Sequence, residues 1–338
     1  MKNFWYILVF MLFAVSVVNA QKNNVLKFDK KGEFKIVQFT DTHVDLPENK
    51  NLQVFETIKN VLKVENPDLV VLTGDIVTQD NPQEAYLMFS SIFEKAEIPW
   101  VMVFGNHESE HNLSRSELAA FLENLPYCLN KDVGGIKGNS NFVLTVFGKK
   151  DKSAALLYCM DSNTYSTLKP EVDGWGWFDF SQVEWYRQQS KKYTKLNNGK
   201  PFPALAFFHI PLPEYTAAWN NKVNLPIGVK NEDECSPEIN TGMFAAMLEC
   251  GDVMGTFVGH DHINDYIGTH FGIALAYGRI TKTMGDPKDP KPGGRIIVLK
   301  EGERKFETWI REAKGDKVLE YNFPQSFNNE STPKNHKI

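Results

Sequence analysis

Apolar residues in the first third of the chain alternate between short strand-like runs and helical stripes. Residues 34–39, 69–72 and 100–104 are apolar runs with the length of buried strands. Between them, apolar side chains recur on one helical face. The first stripe is Leu52, Phe55, Ile58 and Leu62, and the second is Tyr86, Phe89 and Phe93. The order strand, helix, strand, helix, strand predicts two βαβ units and a parallel sheet.

The pattern continues further along the chain. Residues 154–158, 204–208 and 255–258 predict strands, and shorter strand-like runs follow at 273–277, 295–299 and 306–310. A helix is predicted over residues 181–196, opened by a capping box between Ser181 and Glu184. Strands that alternate with helices favour a layered α/β architecture.

The two ends of the chain differ from the rest. One lysine followed by a fifteen-residue apolar run and small residues before Gln21 predicts a signal peptide over residues 1–20. The alternative is an uncleaved N-terminal anchor. Residues 21–321 are predicted to form a single domain, and residues 322–338 a polar tail. We therefore expect a secreted or periplasmic protein with no stable membrane span after cleavage.

Composition narrows the class further. Of 338 residues, 42% are hydrophobic and 23% charged, which is ordinary for a globular protein and excludes a disordered chain or a coiled-coil rod. The net charge of -5 gives no basic surface, so we expect no binding to a nucleic-acid backbone. Export makes the cysteines eligible for disulfides. Of Cys128, Cys159, Cys235 and Cys250, the last two are a possible bridge, and buried thiols are the alternative.

Polar residues of the metal-ligand type follow the predicted strands. The carboxyl ends of parallel strands share one edge of a sheet, so these residues should converge on one site. The candidate ligands are Asp41, His43, Asp75, Asn106, His209, His260 and His262. If the backbone is locally extended, each pair two residues apart (Asp41 with His43, His260 with His262) faces one centre. Imidazole with carboxylate suits Mn, Fe, Zn or Co, and seven ligands suit two ions that share a carboxylate.

The blocks D-x-H, GD, GNHE, a lone His and GH-x-H, in this order, resemble the calcineurin-like metallophosphoesterase superfamily over residues 34–310. The resemblance implies an α/β fold: a four-layer αββα sandwich with mixed sheets, parallel βαβ units and a dinuclear metal centre. It assigns Asp41, His43 and His262 to one metal, and Asn106, His209 and His260 to the other. It makes Asp75 the bridging ligand and His107 the catalytic histidine beside the metals.

The same resemblance implies hydrolysis of phosphate esters, with monoesters favoured, by attack of a hydroxide that bridges two divalent or trivalent ions. Charge supports this independently, since only Asp41 and Asp75 among the ligands are anionic and the loaded centre stays positive. The expected partner is a small phosphorylated substrate, bound by Asn106 and His107. A phosphodiesterase acting on nucleotides or lipid head groups, and a non-catalytic metal-binding scaffold, remain alternatives. Metal identity and oligomeric state stay open.

The sequence departs from that of the purple acid phosphatases at one metal-binding position. Purple acid phosphatases carry a metal-binding tyrosine three residues after the bridging aspartate, and here that position is Thr78. The segment VGHDHINDY at 258–266 still looks like the purple-acid-phosphatase-related subgroup without that tyrosine. We therefore expect no purple charge-transfer band, and the resemblance does not fix iron as the metal.

Several residues admit two interpretations. Trp175 and Trp177, in the loop before residue 181, line the substrate cleft or plug the loop against the sandwich. Glu108 orients His107 or caps a helix start, and Asp161 supports the site or is purely structural. Arg279 and Arg295 bind substrate phosphate or form structural ion pairs. The sequence alone does not separate these interpretations.

Overall fold

Two β-sheets form the middle of the molecule in a computed structural model that describes residues 25–286 and 288–327. The predicted signal peptide and most of the predicted tail lie outside these residues. The described strands are β1 (Glu33–Phe39), β2 (Leu69–Thr73), β3 (Trp100–Val103), β4 (Phe142–Phe147), β5 (Ser153–Cys159), β6 (Ala204–Phe207), β7 (Ile227–Val229), β8 (Val253–Val258), β9 (Asp265–His270), β10 (Ile273–Tyr277), β11 (Gly293–Lys300), β12 (Phe306–Glu312) and β13 (Lys317–Phe323). The described α-helices are α1 (Val54–Glu65), α2 (Gln83–Lys95), α3 (Arg115–Leu122), α4 (Phe180–Leu196), α5 (Glu214–Trp219) and α6 (Met243–Cys250).

Both sheets are mixed. The first has the order β13-β12-β11-β1-β2-β3, with β1, β2 and β3 parallel and the remaining neighbours antiparallel. The second has the order β4-β5-β6-β8-β10-β9-β7, and its central strands β5, β6, β8 and β10 are parallel. The parallel β1-α1-β2-α2-β3 segment confirms the two predicted βαβ units.

Three apolar layers hold the sheets and helices together. Helices α1, α2 and α3 pack on the outer face of the first sheet through residues such as Phe55, Phe89 and Leu118. A second layer joins the facing sides of the two sheets, where Val103 and Phe207 belong to the same cluster. The third layer places α4, α5 and α6 on the outer face of the second sheet. This stacking of helices, sheet, sheet and helices confirms the αββα sandwich.

The structure corrects two local predictions. The N-cap of α4 is Asp179, whose capping box is closed by Gln182, so the predicted box of Ser181 with Glu184 is wrong. The Asp179 carboxylate is the stronger cap because it accepts bonds from both the backbone N–H and the hydroxyl of Ser181. Strand β13 ends at Phe323, so the sheet includes two residues assigned to the tail.

The four cysteines are free, and the possible Cys235–Cys250 bridge is absent. Cys235 has its thiol within 4.8 Å of ligand atoms of His260 and Asp261, whereas Cys250 ends α6, which packs against α4. The two thiols therefore belong to different parts of the second sheet's outer layer.

No helix within residues 25–286 and 288–327 combines the length and the hydrophobicity needed to cross a bilayer.

Candidate metal centre

Every predicted ligand lies just beyond the carboxyl end of a strand or in the turn that follows it. Asp41 and Asp75 follow β1 and β2, and Asn106 follows β3. From the second sheet, His209 follows β6 and His260 follows β8. The carboxyl ends of parallel strands from both sheets therefore form one edge of the sandwich, as ligand sites in open α/β sheets do.

The backbone at these turns is not extended. The φ angles of Asp41, His43, Asp75 and His260 are 53°, 45°, 53° and 79°, in the left-handed region that non-glycine residues avoid. The expectation of locally extended pairs is therefore wrong. Left-handed turns keep Asp41 and His43 in one group but send His260 and His262 to different groups. Strained residues of this kind concentrate at functional sites.

The first group consists of Asp41, His43 and His262, whose ligand atoms lie within 4.8 Å of one another. The Nε2 atoms of His43 and His262 are 3.1 Å apart, and His262 Nε2 is 3.5 Å from Asp41 Oδ1. Two imidazole nitrogens and a carboxylate oxygen thus point at one small volume, which matches the donor set of a transition-metal site.

The second group consists of Asp75, His209 and His260. His209 Nε2 lies 3.0 Å from Asp75 Oδ2 and 3.3 Å from His260 Nδ1. The same Asp75 oxygen is 3.8 Å from Nε2 of His43, a member of the first group. Asp75 therefore stands between the two groups, where a carboxylate shared by two ions has to be.

Buried polar atoms without partners fit this interpretation. The Oδ1 atom of Asn106 is buried and accepts no hydrogen bond from any described residue, and His260 Nε2 is likewise without a partner. A buried polar atom that makes no hydrogen bond is costly and rare in folded proteins. A bound cation would satisfy the Asn106 oxygen, so the residues present fit the metals that the sequence analysis expects.

A hydrogen bond between the two sheets fixes His209. Its Nδ1 atom bonds the carbonyl oxygen of Thr73, the last residue of β2, at 2.7 Å. A histidine that donates Nδ1–H to a carbonyl has Nε2 as the nitrogen available to a metal, once that atom has given up its proton. His209 is thereby held with Nε2 directed at Asp75.

The charges of the two carboxylates dominate the electrostatics. Burial alone would raise the pKa of Asp75 and lower that of His209, but their mutual attraction reverses both shifts. The pKa of His209 rises to about 10, and that of Asp75 falls. Burial, assisted by the charge of His209, lowers the pKa of His260 to about 3. Without metal, His209 is therefore the cation that balances the carboxylates, and a metal would take over that role.

Glycines allow the ligand turns to approach each other. A Cβ atom on Gly105 would lie 2.3 Å from Asp75 Oδ1, and one on Gly259 would lie 2.0 Å from Thr40 Oγ1. Gly74 also has a positive φ of 86°. A side chain at any of these three positions would force the ligand turns apart.

The carboxylate of Glu108 binds backbone N–H groups in the turns that follow β2 and β3. This carboxylate is buried and accepts backbone N–H bonds from Gly105 at 2.7 Å, Asp75 at 3.0 Å and Ile76 at 2.8 Å. Burial and the charge of Asp75 raise its pKa. Of the two interpretations, binding of backbone N–H groups is the one that the structure supports, and those groups belong to the ligand turns.

His107 lies at the solvent side of the ligand groups, with its side chain 30% exposed. Its backbone N–H donates to Asp75 Oδ1 at 2.9 Å, and its Nε2 is 3.8 Å from Asp75 Oδ2. Its Nδ1 atom bonds the carboxylate of Glu110, which also accepts from the hydroxyl of Tyr165. Sequence reasoning missed Glu110 and Tyr165. The i, i+3 spacing of Glu110 from His107 was a usable signal, whereas Tyr165 had none.

The two tryptophans occupy different positions. The Trp175 ring meets the His260 ring edge to face at 4.2 Å and stacks on Tyr165 at 5.2 Å. Trp175 therefore forms a wall of the ligand cleft. Trp177 instead lines a cavity of about 160 Å³ together with Tyr165 and Lys137.

The remaining candidates are structural. Asp161 is buried and bonds Arg115 at 2.6 Å, and Arg115 in turn donates to the Gly105 carbonyl. Arg279 and Arg295 are both buried and both pair with Asp265. The two arginines thus form structural ion pairs with Asp265 and do not serve as phosphate ligands.

The layered fold and the ligand groups at one edge of it point to the metallophosphoesterase class. The family model described as calcineurin-like phosphoesterase matches residues 34–264. The chain belongs to this family, as its motifs indicate.

Curated relatives agree with this assignment. "Probable inactive purple acid phosphatase 29" from Arabidopsis thaliana is 34% identical over 288 residues, which cover 75% of this chain and 73% of that protein. "Phosphatase DCR2" from Saccharomyces cerevisiae is 31% identical over 281 residues, covering 73% of this chain and 48% of that protein. The similarity to purple-acid-phosphatase-like proteins is thereby confirmed.

Solved structures share the fold. A dimetal phosphatase from Danio rerio superposes with a TM-score of 0.56 at 13% identity, covering 86% of this chain and 98% of its own. Purple acid phosphatase PPD1 from yellow lupin gives a TM-score of 0.50 at 9% identity, covering 89% of this chain and 56% of its own. At these identities the likeness concerns the fold alone.

Proposed function

We propose that this protein is an exported phosphomonoesterase that works with two metal ions at the candidate centre. The observation that carries the proposal is the position of Asp75, whose Oδ2 atom faces His209 of one ligand group at 3.0 Å and His43 of the other at 3.8 Å. A carboxylate between two complete groups is the arrangement that a pair of cations requires.

Each ion has its own ligands in this proposal. Asp41, His43 and His262 would hold one metal, and Asn106, His209 and His260 would hold the other, with Asp75 available to both. Bound divalent ions would supply Lewis acidity, by lowering the pKa of a water molecule and neutralising phosphoryl oxygens. Mn, Fe, Zn and Co all suit these donors. Thr78 stands where purple acid phosphatases have the tyrosine, so no tyrosinate oxygen is offered at this position. The backbone N–H of Thr78 donates to the carbonyl oxygen of Val44.

The chain's own residues supply positioning and proton transfer. His107 is the partly exposed imidazole next to Asp75, and Glu110 holds its Nδ1 side. Its Nε2 nitrogen is thereby the atom that contacts a phosphoryl oxygen or protonates the leaving oxygen. The Asn106 amide and the Trp175 ring complete the substrate side, the latter against an aryl or base leaving group.

The names of several relatives include the word "inactive". In this chain the ligand set is complete: all seven ligand residues and His107 are present and lie at the same edge of the sandwich. A non-catalytic metal scaffold does not require His107 to be held by Glu110 next to the shared carboxylate. Catalysis therefore explains more of the structure.

The experiment is metal analysis combined with hydrolysis of 4-nitrophenyl phosphate and bis(4-nitrophenyl) phosphate. Asp75→Asn and His107→Ala are compared with His270→Ala, a histidine that packs on Phe244 outside the centre. We expect bound metal, faster hydrolysis of the monoester, and loss of at least about 100-fold in kcat for the first two variants only. Absence of hydrolysis with every divalent metal, or an unchanged rate in Asp75→Asn, would refute the proposal.

Export is part of the proposal and rests on the sequence of residues 1–20. N-terminal sequencing of the protein recovered from the medium or periplasm is expected to begin at Gln21. Recovery of the uncleaved chain in the membrane fraction would favour the anchor.

A further inference from the structure

Lys282 is placed beside the ligand turns by the segment that leaves β10. Ile280 forms an isolated β-bridge with Thr40, the residue before Asp41. The backbone N–H of Thr281 donates to the Thr40 carbonyl at 3.1 Å, and the Thr40 N–H donates to Thr281 Oγ1 at 3.2 Å. Two hydrogen bonds thus fix the residue immediately before Lys282 against the residue immediately before Asp41.

The ammonium group of Lys282 is partly buried and interacts with the centre at a distance. Burial lowers its pKa, while the negative charges of Asp41 and Asp75 act in the opposite direction. Its own positive charge contributes to the lowered pKa of His43, after the larger effect of burial. Lys282 therefore lies close enough to both ligand groups to interact electrostatically with their carboxylates.

No carboxylate within residues 25–286 and 288–327 forms an ion pair with Lys282. Arg279, three residues earlier, shows the contrast, because its guanidinium pairs with Asp265 and Glu312. Lysines that are partly buried normally have a direct partner or extend into solvent. An ammonium group near a cation site without a direct partner is suited to an anion that arrives with the substrate.

We propose that Lys282 binds the phosphoryl group of the substrate and thereby selects dianionic phosphate monoesters over monoanionic diesters. The inference deepens the proposed function and rests on it. Asp41 and Asp75 are the only anionic ligands, so two divalent ions leave the ligand set with two positive charges, and Lys282 adds a third. A phosphate monoester carries close to two negative charges at neutral pH and gains more from this extra charge than a diester does.

The competing interpretation is structural: Lys282 would only balance Asp41 and Asp75 when metals are absent. The two roles differ in what they predict. A balancing lysine affects metal content and stability and therefore both substrates equally, whereas a phosphoryl ligand affects the monoester and free phosphate selectively. The ratio of the two substrates is thus the decisive quantity.

The experiment compares wild type, Lys282→Met and Lys282→Arg, with Lys95→Met as the matched control. Lys95 is exposed at the end of α2, before β3 begins, and so lies at the opposite edge of the first sheet. Each protein is loaded with Mn or Zn, and its metal content is measured. Steady-state kinetics are then recorded with 4-nitrophenyl phosphate and bis(4-nitrophenyl) phosphate, and binding of inorganic phosphate is measured by calorimetry.

We expect Lys282→Met to lose about 10-fold to 100-fold in kcat/KM for the monoester, the scale of one hydrogen bond to a charged group. The diester, the metal content and Lys95→Met should change little, inorganic phosphate should bind more weakly, and Lys282→Arg should keep the monoester preference. Equal loss for both substrates, loss of metal, or unchanged phosphate binding would each overturn the proposal. If Lys282→Met does not fold, a Lys282→Arg variant without monoester preference also overturns it.

The same measurements distinguish failure of the proposed phosphatase function from failure of the role assigned to Lys282. Wild-type protein that binds metal but hydrolyses neither substrate would refute the phosphatase and leave the phosphate titration as the test of Lys282. Weaker binding of phosphate by Lys282→Met than by Lys95→Met would then support the assignment of Lys282, and equal binding would refute it.

Discussion

The carboxylate of Glu108 accepts a 3.0 Å hydrogen bond from the backbone N–H of Asp75, although the two residues follow different strands. The same carboxylate accepts from Ile76 and Gly105, so one buried side chain fixes the turns after β2 and β3. A ligand turn with a left-handed aspartate needs such support, because its backbone N–H groups have no strand partner.

Glu108→Gln should therefore destabilise the protein and weaken metal binding. An amide keeps one acceptor oxygen, but its NH2 group faces N–H donors, so at least one buried donor loses its partner. We expect about 2 to 3 kcal/mol less free energy of unfolding, measured by urea denaturation. Glu94→Gln, at an exposed position of α2, serves as the control. Equal stability of Glu108→Gln and wild type would show that the carboxylate is dispensable.

Glu110 should matter for leaving groups that need a proton. Glu110→Gln removes the negative charge that faces His107 Nδ1, so the imidazolium that would donate its Nε2 proton to the leaving oxygen loses its counter-charge. We expect kcat for phenyl phosphate to fall by about 10-fold to 100-fold, with a smaller effect on 4-nitrophenyl phosphate, whose leaving group is already stable.

Tyr165→Phe is the companion variant, since it removes the hydroxyl bonded to Glu110 and keeps the ring that stacks on Trp175. Its expected effect has the same direction and is smaller. If both substrates lose rate equally in Glu110→Gln, the carboxylate supports the fold of the turn and does not position His107.

Gly259→Ala tests the close approach of the two sheets at the centre. The new Cβ would meet Thr40 Oγ1 at 2.0 Å and Asp41 Oδ2 at 2.6 Å, so the Asp41 turn must shift. We expect a loss of stability of about 1 to 3 kcal/mol and a protein that copurifies with less metal. Gly285→Ala, where a Cβ would meet open space, should match wild type in both measurements. Full metal content in Gly259→Ala would refute the role assigned to this contact.

We expect Glu65 to make part of the free energy of unfolding depend on pH. It is buried at the end of α1 and accepts from Trp309 Nε1 at 2.9 Å and Arg311 Nε at 2.6 Å. Burial raises its pKa, but these partners outweigh burial and lower it. Its contribution is therefore present above the unfolded-state pKa of about 4.3 and is lost as pH falls through the lower folded-state value.

Urea unfolding of wild type and Glu65→Gln across this range checks the sign. The difference between the two proteins should be largest near neutral pH and should shrink as the solution becomes more acidic than the unfolded-state pKa. Glu94→Gln is again the exposed control. A difference that grows on acidification would contradict the assigned direction.

The sequence predicts the first half of the site well for a physical reason. Strands β1, β2 and β3 are short apolar runs, and each is followed directly by its polar block, so periodicity alone places Asp41, Asp75 and Asn106 at one edge. The stripes of α1 and α2 are equally clear, since Phe55, Ile58, Tyr86 and others in them are buried.

Other features were not predictable from local pattern. Strand β9 begins at Asp265, a charge that two arginines neutralise inside the second sheet, and a buried charge in a strand contradicts the apolar pattern that identifies strands. The left-handed φ of Asp41 and of His260 depends on contacts between distant turns. The proximity of Lys282 to Asp41 has the same origin, because a bridge between residues 40 and 280 leaves no trace in either neighbourhood.

The ligand groups draw on both halves of the chain: Asp41, Asp75 and Asn106 come from the first sheet, and His209 and His260 from the second. Two ions held by these residues would act as a cross-link between the sheets, closing a loop of more than half the chain. The apo protein would keep only the apolar layer between the sheets and the direct bonds such as that of His209 to Thr73. Binding of the metals would then fix the alignment of the two sheets as well as complete the site for catalysis.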